Sequence, residues 1–273
     1  MSNHQQMNNQ KRPQQQSEVL NKDIVLGRNA VTEALKAGRS INRLLIAEGS
    51  RDGSIQKLIA LAKDRRIIIE SISRDRLDKI ADNQHHQGVI AYSAPVEYST
   101  LEEILQLAED RNESPFILLL DELEDPHNFG AILRTADAVG VHGVLIPKRR
   151  SVSLNSTVAK TSAGAIEYVK VAQINNVAQT LKQLKDLNIT VIGSDMEGTD
   201  IYSDMSRVDL NAPIVLIIGS EGKGMRRLTK ENCDFLIKIP MVGRINSLNA
   251  SVAAAILMYE VLRQRNVKSS KTS

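Results

Sequence analysis

The chain has 273 residues, a net charge of +3 and a sequence pI of about 8.9. No apolar run approaches the roughly 18–20 residues of a membrane-spanning helix, and residues 1–16 lack the apolar core of a signal peptide. We therefore expect a cytoplasmic protein with no membrane partner. The single cysteine agrees with this expectation because it excludes an intrachain disulfide. With only 3% aromatic residues, any RNA binding would rely on phosphate charge and RNA shape rather than on base stacking.

Residues 1–22 are rich in Gln and Asn and have little to bury, which predicts a disordered polar tail. A passive extension is favoured over a weak RNA tether. Residues 23–95 are expected to form a small α/β domain. Its predicted elements are strands at 43–47, 67–72 and 88–92 and helices at 54–63 and 74–81. Residues 96–114 are predicted to be a linker and a helix capped by Ser99 or Thr100.

Residues 115–266 alternate between apolar runs and amphipathic segments. The predicted strands are 115–120, 141–146, 169–172, 189–193, 213–219 and 235–239. The predicted helices are 153–163, 177–187, 225–231 and 247–265, in addition to one that begins at Pro126. This alternation predicts a parallel sheet with helices on both faces, which binds ligands at the carboxyl ends of its strands. Residues 267–273 are predicted to be a second disordered tail.

The first polar motif, DPHNFGAILR (residues 125–134), follows the predicted strand 115–120. Asp125 and Pro126 make a good helix start, so Asn128 would lie in the first turn at the strand's carboxyl end. Arg134 is permanently charged, and its guanidinium fork suits phosphate. Spacing alone leaves two interpretations open: Arg134 binds a ligand, or it pairs with Asp137 one turn away.

The second motif, GSEGKG (residues 219–224), follows the predicted strand 213–219. Glycines at a strand end free backbone N–H groups for a ligand. The spacing matches neither the P-loop nor the dinucleotide-binding pattern. A plain glycine turn is the alternative, but a carboxylate such as Glu221 is costly to place in a tight loop without a role.

The third motif, PMVGRINSLN (residues 240–249), precedes the last predicted helix. We expect Asn246 or Ser247 to cap that helix, which accounts for one polar residue. Capping does not then explain Asn249. Three small polar groups at one helix start therefore predict a binding site for a polar ligand.

The remaining candidates are weaker. His85 and His86 have no partners at metal-ligand spacing, and we expect no metal site. Cys233 precedes a strand and is expected to be a small core residue. The basic runs at 65–66, 148–150 and 226–227 are interpreted singly as solvated faces, although together they could form an RNA-facing rim.

Taken together, the three motifs resemble the SpoU (TrmH) family of RNA ribose 2′-O-methyltransferases, within the SPOUT superfamily. The matching segments are DPHNFGAILRTADAVG (125–140), IIGSEGKGM (217–225) and IPMVGRINSLNASVAAAI (239–256). They occur in the family's order and spacing, each behind a predicted buried strand. The segment GRNAVTEAL (27–35) is similar to the opening of the small substrate-binding domain in the RlmB-type subgroup.

The resemblance implies that the C-terminal sheet is threaded into a trefoil knot and that the protein is a homodimer with active sites at the subunit interface. It also implies S-adenosyl-L-methionine as the methyl donor. Gly219, Ile239 and Leu248 match the family positions that hold this cofactor. The positions that match the polar residues of the catalytic site are Asn128, Arg134, Glu221, Ser247 and Asn249.

The implied activity is methyl transfer to the ribose 2′-hydroxyl of a nucleotide in structured RNA. The RlmB-type N-terminal domain favours a guanosine of 23S rRNA. The nearest alternative keeps this chemistry but acts on a tRNA or on another rRNA nucleotide. A second alternative is a catalytically inactive RNA-binding or ribosome-assembly protein, and the presence of Asn128, Arg134, Glu221 and Asn249 argues against it.

Overall fold

The computed structural model describes residues 24–50, 52–94, 96–203, 208–244 and 247–269. The predicted tail at 1–22 and the candidate cap Asn246 therefore lie outside the described residues. Across these ranges, no helix combines the length and the apolar character that crossing a membrane requires.

The first part of the chain folds around a four-stranded sheet with the strand order β1-β4-β2-β3. Only β2 and β3 pair in parallel. Its elements are β1 (Ile24–Leu26), α1 (Arg28–Lys36), β2 (Ile41–Ala47), α2 (Gly53–Asp64), β3 (Ile68–Ile72), α3 (Arg74–Ile80) and β4 (Val89–Ser93). The sequence analysis did not predict β1 or α1 as elements. Strand β1 has only three residues, and α1 begins after Gly27 with neither a capping side chain nor an acidic first turn.

The second part folds around six parallel strands in the order β10-β8-β9-β5-β6-β7. The strands are β5 (Phe116–Asp121), β6 (Gly143–Pro147), β7 (Lys170–Ile174), β8 (Thr190–Asp200), β9 (Ile214–Gly219) and β10 (Phe235–Lys238). The helices are α4 (Leu101–Asp110), α5 (Pro126–Val139), α6 (Ser156–Thr161), α7 (Val177–Asp186), α8 (Arg227–Glu231) and α9 (Ala250–Ser269), with a 3₁₀ turn at Ala165–Glu167. The predicted parallel α/β architecture is confirmed, whereas the trefoil knot stays a prediction.

Alternate residues of β5 enter two separate cores, one on each face of the sheet. Leu118 and Leu120 pack in the cluster that contains residues of α5 and α9. Ile117 and Leu119 pack in the cluster that contains residues of α4 and α7. Every residue of β5 is buried, as the continuous apolar run predicts for a central parallel strand.

Several boundaries differ from the predictions. Helix α6 is shorter than the predicted 153–163 because Asn155 caps it, its side chain accepting from Val158 N at 3.0 Å. Helix α9 begins at Ala250 rather than at residue 247, and it extends to Ser269, so residues 267–269 are helical rather than part of a tail. Strand β8 runs on to Asp200 because β10 continues to pair with it beyond an irregularity at Leu236/Ile237.

The two sheets are joined by direct contacts between their helices. Arg39 and Glu167 form an ion pair at 2.8 Å, and their side chains are only 10% and 6% exposed. The Tyr168 hydroxyl donates to Glu33 Oε2 at 2.8 Å. A Cβ on Gly164 would lie 2.4 Å from Glu33 Cβ, so the 3₁₀ turn and α1 are closely packed. The four-stranded part is therefore docked on the six-stranded part rather than merely tethered to it.

Candidate active site

The site forms where β5 and β9 end side by side. The last residues of these neighbouring strands, Asp121 and Gly219, are paired in register. Helix α5 begins a few residues after β5, and Asp125 caps it by accepting from His127 N at 2.9 Å. This start, which the sequence predicted, leaves Asn128 in the first turn with its side chain buried against the second motif.

The loop after β9 folds back tightly on its own strand. A Cβ added to Gly219 would lie 2.3 Å from the carbonyl carbon of Gly224 and 2.4 Å from Met225 N, so only glycine allows this approach. Gly222 and Gly224 have φ angles of +74° and +67°, a region that favours glycine. The resulting turn carries the Glu221 side chain over the start of α5.

One carboxylate oxygen joins all three predicted motifs. Glu221 Oε1 accepts hydrogen bonds from Asn128 Nδ2 at 3.0 Å and from Ala250 N at 3.2 Å. It also accepts a short hydrogen bond from Asn249 Nδ2, which in addition donates to Asn128 Oδ1 at 2.9 Å. We call this group of Asn128, Glu221 and Asn249 the amide–carboxylate network. It locks the first turn of α5, the glycine loop and the start of α9 together.

Asn249 is also the residue that caps α9. Its Oδ1 accepts from Ser251 N at 3.0 Å, from Ser251 Oγ at 2.6 Å and from Val252 N at 3.3 Å. The prediction that Ser247 caps this helix is therefore wrong, because the helix starts three residues later. The two ends of one amide perform both tasks: the oxygen caps the helix, and the nitrogen binds Glu221 and Asn128.

The sequence analysis missed an ion pair beneath the glycine loop. Asp121, fully buried at the end of β5, accepts from Arg226 N at 2.9 Å and from Arg226 Nε at 2.8 Å. A carboxylate that ends an otherwise apolar buried strand needs a partner, and that signal could have marked Asp121, although not Arg226 as its partner. Arg226, interpreted as part of a solvated basic run, instead anchors the far end of the glycine loop.

Two predicted catalytic residues, Arg134 and Ser247, make no hydrogen bond to the amide–carboxylate network of their own chain. The Arg134 side chain is exposed on α5, and no described residue forms an ion pair or side-chain hydrogen bond with it. The alternative of an Arg134–Asp137 pair is therefore not observed. Ser247 is exposed in the segment before α9 and likewise makes no hydrogen bond with a described residue.

The three predicted cofactor positions lie at the ends of β9 and β10 and directly before the network residue Asn249. Gly219 ends β9, Ile239 follows β10 and packs at the edge of the core, and Leu248 is half-buried directly before Asn249. No described residue accepts a hydrogen bond from the backbone N–H of Ile239 or Leu248. Ile239 and Leu248 therefore have backbone donors that no described residue uses, beside partly buried apolar side chains, which suits a ligand with a heteroaromatic ring.

Neighbouring reactive side chains do not point to another chemistry. Burial raises the pKa of the Cys233 thiol to about 11, so it stays protonated and is a poor nucleophile. Its Sγ packs where a Cβ on Gly193 would lie, as a small core residue. Within the described ranges, no three His, Cys, Asp or Glu side chains come together as a metal-binding group.

Comparisons with known proteins match both parts of the chain. The SpoU rRNA Methylase family model matches residues 115–259, and the model for RNA 2′-O ribose methyltransferase substrate binding matches residues 24–99. A Bacillus subtilis (strain 168) protein, named as a member of the TrmH family of tRNA/rRNA methyltransferases, is 53% identical over 244 residues. That alignment covers 89% of this chain and 96% of the relative.

Solved structures agree with this assignment. A crystal structure of an RNA 2′-O ribose methyltransferase superposes with a TM-score of 0.74 at 26% identity, covering 93% of each chain. The SpoU methyltransferase AviRb from Streptomyces viridochromogenes, in complex with AdoMet, has the same fold. Its TM-score is 0.74 at 23% identity, with 93% of this chain and 94% of that chain covered. Two family models match this chain in the expected order, and one relative shares more than half of its aligned residues. The chain therefore belongs to the SpoU family of RNA methyltransferases.

Proposed function

We propose that this enzyme methylates the ribose 2′-hydroxyl of one nucleotide in structured RNA, a guanosine of 23S rRNA. It is an S-adenosylmethionine-dependent RNA methyltransferase of the SpoU family. The observation that carries the proposal is the amide–carboxylate network, because it unites the three motifs at the carboxyl ends of parallel strands. Ligands bind at that edge of such sheets.

The residues around the network fit the methyl donor. Gly219, Ile239 and Leu248 would hold it through backbone groups and apolar contacts, and the structurally similar AviRb was crystallised with AdoMet. When bound, S-adenosylmethionine supplies a methyl group that its sulfonium already activates. Asn128, Glu221 and Asn249 would keep the loops around it in place, since each is fixed by hydrogen bonds to another motif.

Arg134 is proposed to act on the RNA rather than on the donor. A ribose 2′-hydroxyl is a weak nucleophile at neutral pH, so it needs orientation and stabilisation of its developing negative charge. A guanidinium stays protonated in proteins, so Arg134 would contribute chiefly by binding a phosphate and the 2′-oxygen. Ser247, next to the cofactor position Leu248, is proposed to orient the ribose.

A second copy of the chain would complete the site. Arg134 is exposed and unpaired among the described residues, whereas the amide–carboxylate network is closed within one chain. Helix α9 packs on α5 and still exposes Val252 and Tyr259, at 47% and 52%, on one face. Exposed Val252 and Tyr259 on one helix, and an exposed Arg134 without a described partner on the helix packed against it, support a homodimer in which Arg134 of the partner subunit reaches this site.

The RNA target is the finer part of the proposal. The substrate-binding model over residues 24–99 supports an RNA substrate, and a tRNA or another rRNA nucleotide is the second candidate because the B. subtilis relative is named for both. Ribose methylation would be mapped across all rRNA and tRNA from cells with and without the gene. Loss of one 2′-O-methylguanosine from 23S rRNA is expected, and loss of a tRNA methyl group instead would overturn the choice of target.

An inactive RNA-binding protein of the same fold is tested separately. Calorimetry with S-adenosylmethionine and the purified full chain should show saturable binding, since a pure assembly factor has no use for the donor. Absence of donor binding, together with an unchanged methylation map, would favour the binding-protein alternative.

A further inference from the structure

A polar cavity of about 360 Å³ lies in the substrate-binding part, built by segments outside the proposed active site. Six side chains line it: Arg28, Asn29, Ser50, Ser54, Arg74 and Gln87. None is a carboxylate and none is apolar. Such a lining disfavours an apolar ligand and favours one that carries negative charge together with hydrogen-bonding groups.

Arg28 is held in place at the wall of the cavity. Its Nε donates to the Gln87 carbonyl at 3.0 Å, and its Nη1 donates to Ser54 Oγ at 2.9 Å. Asp52 lies 2.9 Å from the same Nη1, but both side chains are partly exposed, and Nη2 has no partner among the described residues. A guanidinium fixed on one edge and free on the other is prepared to bind an anion.

The opposite wall is a tightly constrained loop. Gln87 and Gly88 have φ angles of +53° and +77°, and Gln87 Oε1 accepts from Arg28 N at 3.0 Å. His86, for which the sequence offered no partner, is buried beneath this loop. It accepts from Gly88 N at 3.0 Å and lies 2.8 Å from Asp78 Oδ1. The Gln87 oxygen already accepts one hydrogen bond, whereas no described residue accepts one from its Nε2 donors.

Arg74 and Asn29 line the cavity with side chains that bond to no described residue. Arg74 is exposed at the start of α3, and Asn29 is exposed in the first turn of α1. No described residue forms an ion pair or a side-chain hydrogen bond with either. Neither side chain therefore has a structural task that would account for its position.

We infer that this cavity binds one unpaired nucleotide of the RNA substrate, at a point distinct from the methylated residue. Arg74 and the free edge of Arg28 would hold the phosphate, while Asn29 and Gln87 would contact the base edge. The volume lies near the lower end of the roughly 300–1,000 Å³ of small-ligand pockets, which suits one nucleotide rather than a duplex. Proteins recognise RNA sequence chiefly at such unpaired positions. The inference rests on the proposed RNA-methylating function and deepens it.

The test uses the full chain and an unmodified 23S rRNA transcript. Arg74→Ala should raise the Kd about 5- to 10-fold and lower the slope of log K against log salt by about 0.7–0.9, as for one lost phosphate contact. Asn29→Ala should leave that slope unchanged but reduce the preference for the transcript over an unrelated RNA of equal length. The matched control is Arg76→Ala, which removes the same charge from an exposed position of α3 that does not line the cavity.

Binding and turnover then separate this inference from the proposed function. Arg74→Ala should raise KM for RNA while leaving kcat and donor binding unchanged, and Arg74→Lys should recover part of the loss. If Arg74→Ala binds RNA no worse than Arg76→Ala, the cavity is not an RNA site, even if the wild-type chain methylates RNA. If the wild-type chain binds the transcript through Arg74 but never methylates it, the cavity stands and the proposed function falls.

Discussion

At the scale of single residues, Glu221 and Asn249 show how few groups define the site. One Glu221 oxygen accepts three hydrogen bonds, from Asn128, Asn249 and the first amide of α9. Bonds to an ionised carboxylate are roughly twice as strong as neutral ones. Removing Glu221 would therefore leave the buried Asn128 amide without its acceptor and would release both neighbouring elements.

The two roles of Asn249 can be separated by substitution. Asn249→Ser keeps an oxygen that can cap α9 but removes the amide nitrogen that binds Glu221. Asn249→Ala removes both and should lose about 1 kcal/mol more in the free energy of unfolding. We expect both variants to lose most of their methyl-transfer activity. Urea unfolding would measure the difference in stability between them. Full activity in Asn249→Ser would show that Asn249 serves only as a cap.

Arg134→Ala should reduce methyl transfer by at least about a hundredfold, as for loss of one group that stabilises developing charge. Donor binding, followed by calorimetry, should be nearly unchanged because Arg134 lies outside the amide–carboxylate network. Asp137→Ala, one turn away on α5, is the control and should retain normal activity. Normal turnover by Arg134→Ala would remove Arg134 from the mechanism.

At this scale the sequence predicted Asn128, Glu221 and Asn249 as site residues without their mutual contacts. Those contacts depend on β9 lying beside β5, and no local pattern specifies which strands are neighbours. The Asp121–Arg226 pair was missed for the same reason, since its members are 105 residues apart in the chain.

At the scale of elements, the glycine loop after β9 is the part most sensitive to added volume. Gly219→Ala would place a methyl group 2.3–2.6 Å from backbone atoms of Gly224 and Met225, so the loop must move. We expect a loss of about 1–3 kcal/mol in stability and at least a tenfold weaker affinity for the donor, measured by unfolding and calorimetry.

Gly53→Ala is the control for that substitution. Gly53 begins α2, has no atom near its Cβ position and has an ordinary φ angle. It should therefore fold and bind the donor like the wild-type chain. Equal donor affinity in Gly219→Ala and Gly53→Ala would mean that the tight turn is not required for the cofactor site.

Elements with strong patterns were predicted well, and those without were not. The buried run of β5 and the cap of α5 were evident because apolar continuity and Asp125 with Pro126 are local signals. For α4 the sequence left Ser99 and Thr100 open as caps, and the structure selects Thr100. The start of α9 was misplaced because the sequence analysis considered only Asn246 and Ser247 as caps, although Asn249 is an equally suitable residue type. Only the position of Glu221 selects Asn249.

At the scale of the whole molecule, the unpaired Arg134 gives the proposed homodimer a direct test. Arg134→Ala and Glu221→Ala chains would be mixed under conditions that exchange subunits. If each site takes Arg134 from one chain and Glu221 from the other, a mixed dimer contains one complete site. Random mixing should then restore about a quarter of wild-type activity, because half of the dimers are mixed.

No recovery in a mixture that mass spectrometry shows to contain mixed dimers would mean that each site uses residues of a single chain.

The position of the substrate-binding part on the methyltransferase part could not be predicted either. It depends on pairs such as Arg39–Glu167, 128 residues apart, and could not be derived from sequence. Its docking fixes the Arg28–Arg74 cavity relative to the methyltransferase part.

The central claim is ribose methylation of RNA, and one in vitro measurement tests it most directly. The purified full chain would be incubated with unmodified 23S rRNA and S-adenosylmethionine carrying a labelled methyl group. The product would then be mapped by resistance to alkaline cleavage and by mass spectrometry. We predict one labelled guanosine with the methyl group on its 2′-oxygen. A methyl group on a base, or no transfer to any RNA by a chain that binds the donor, would contradict the account.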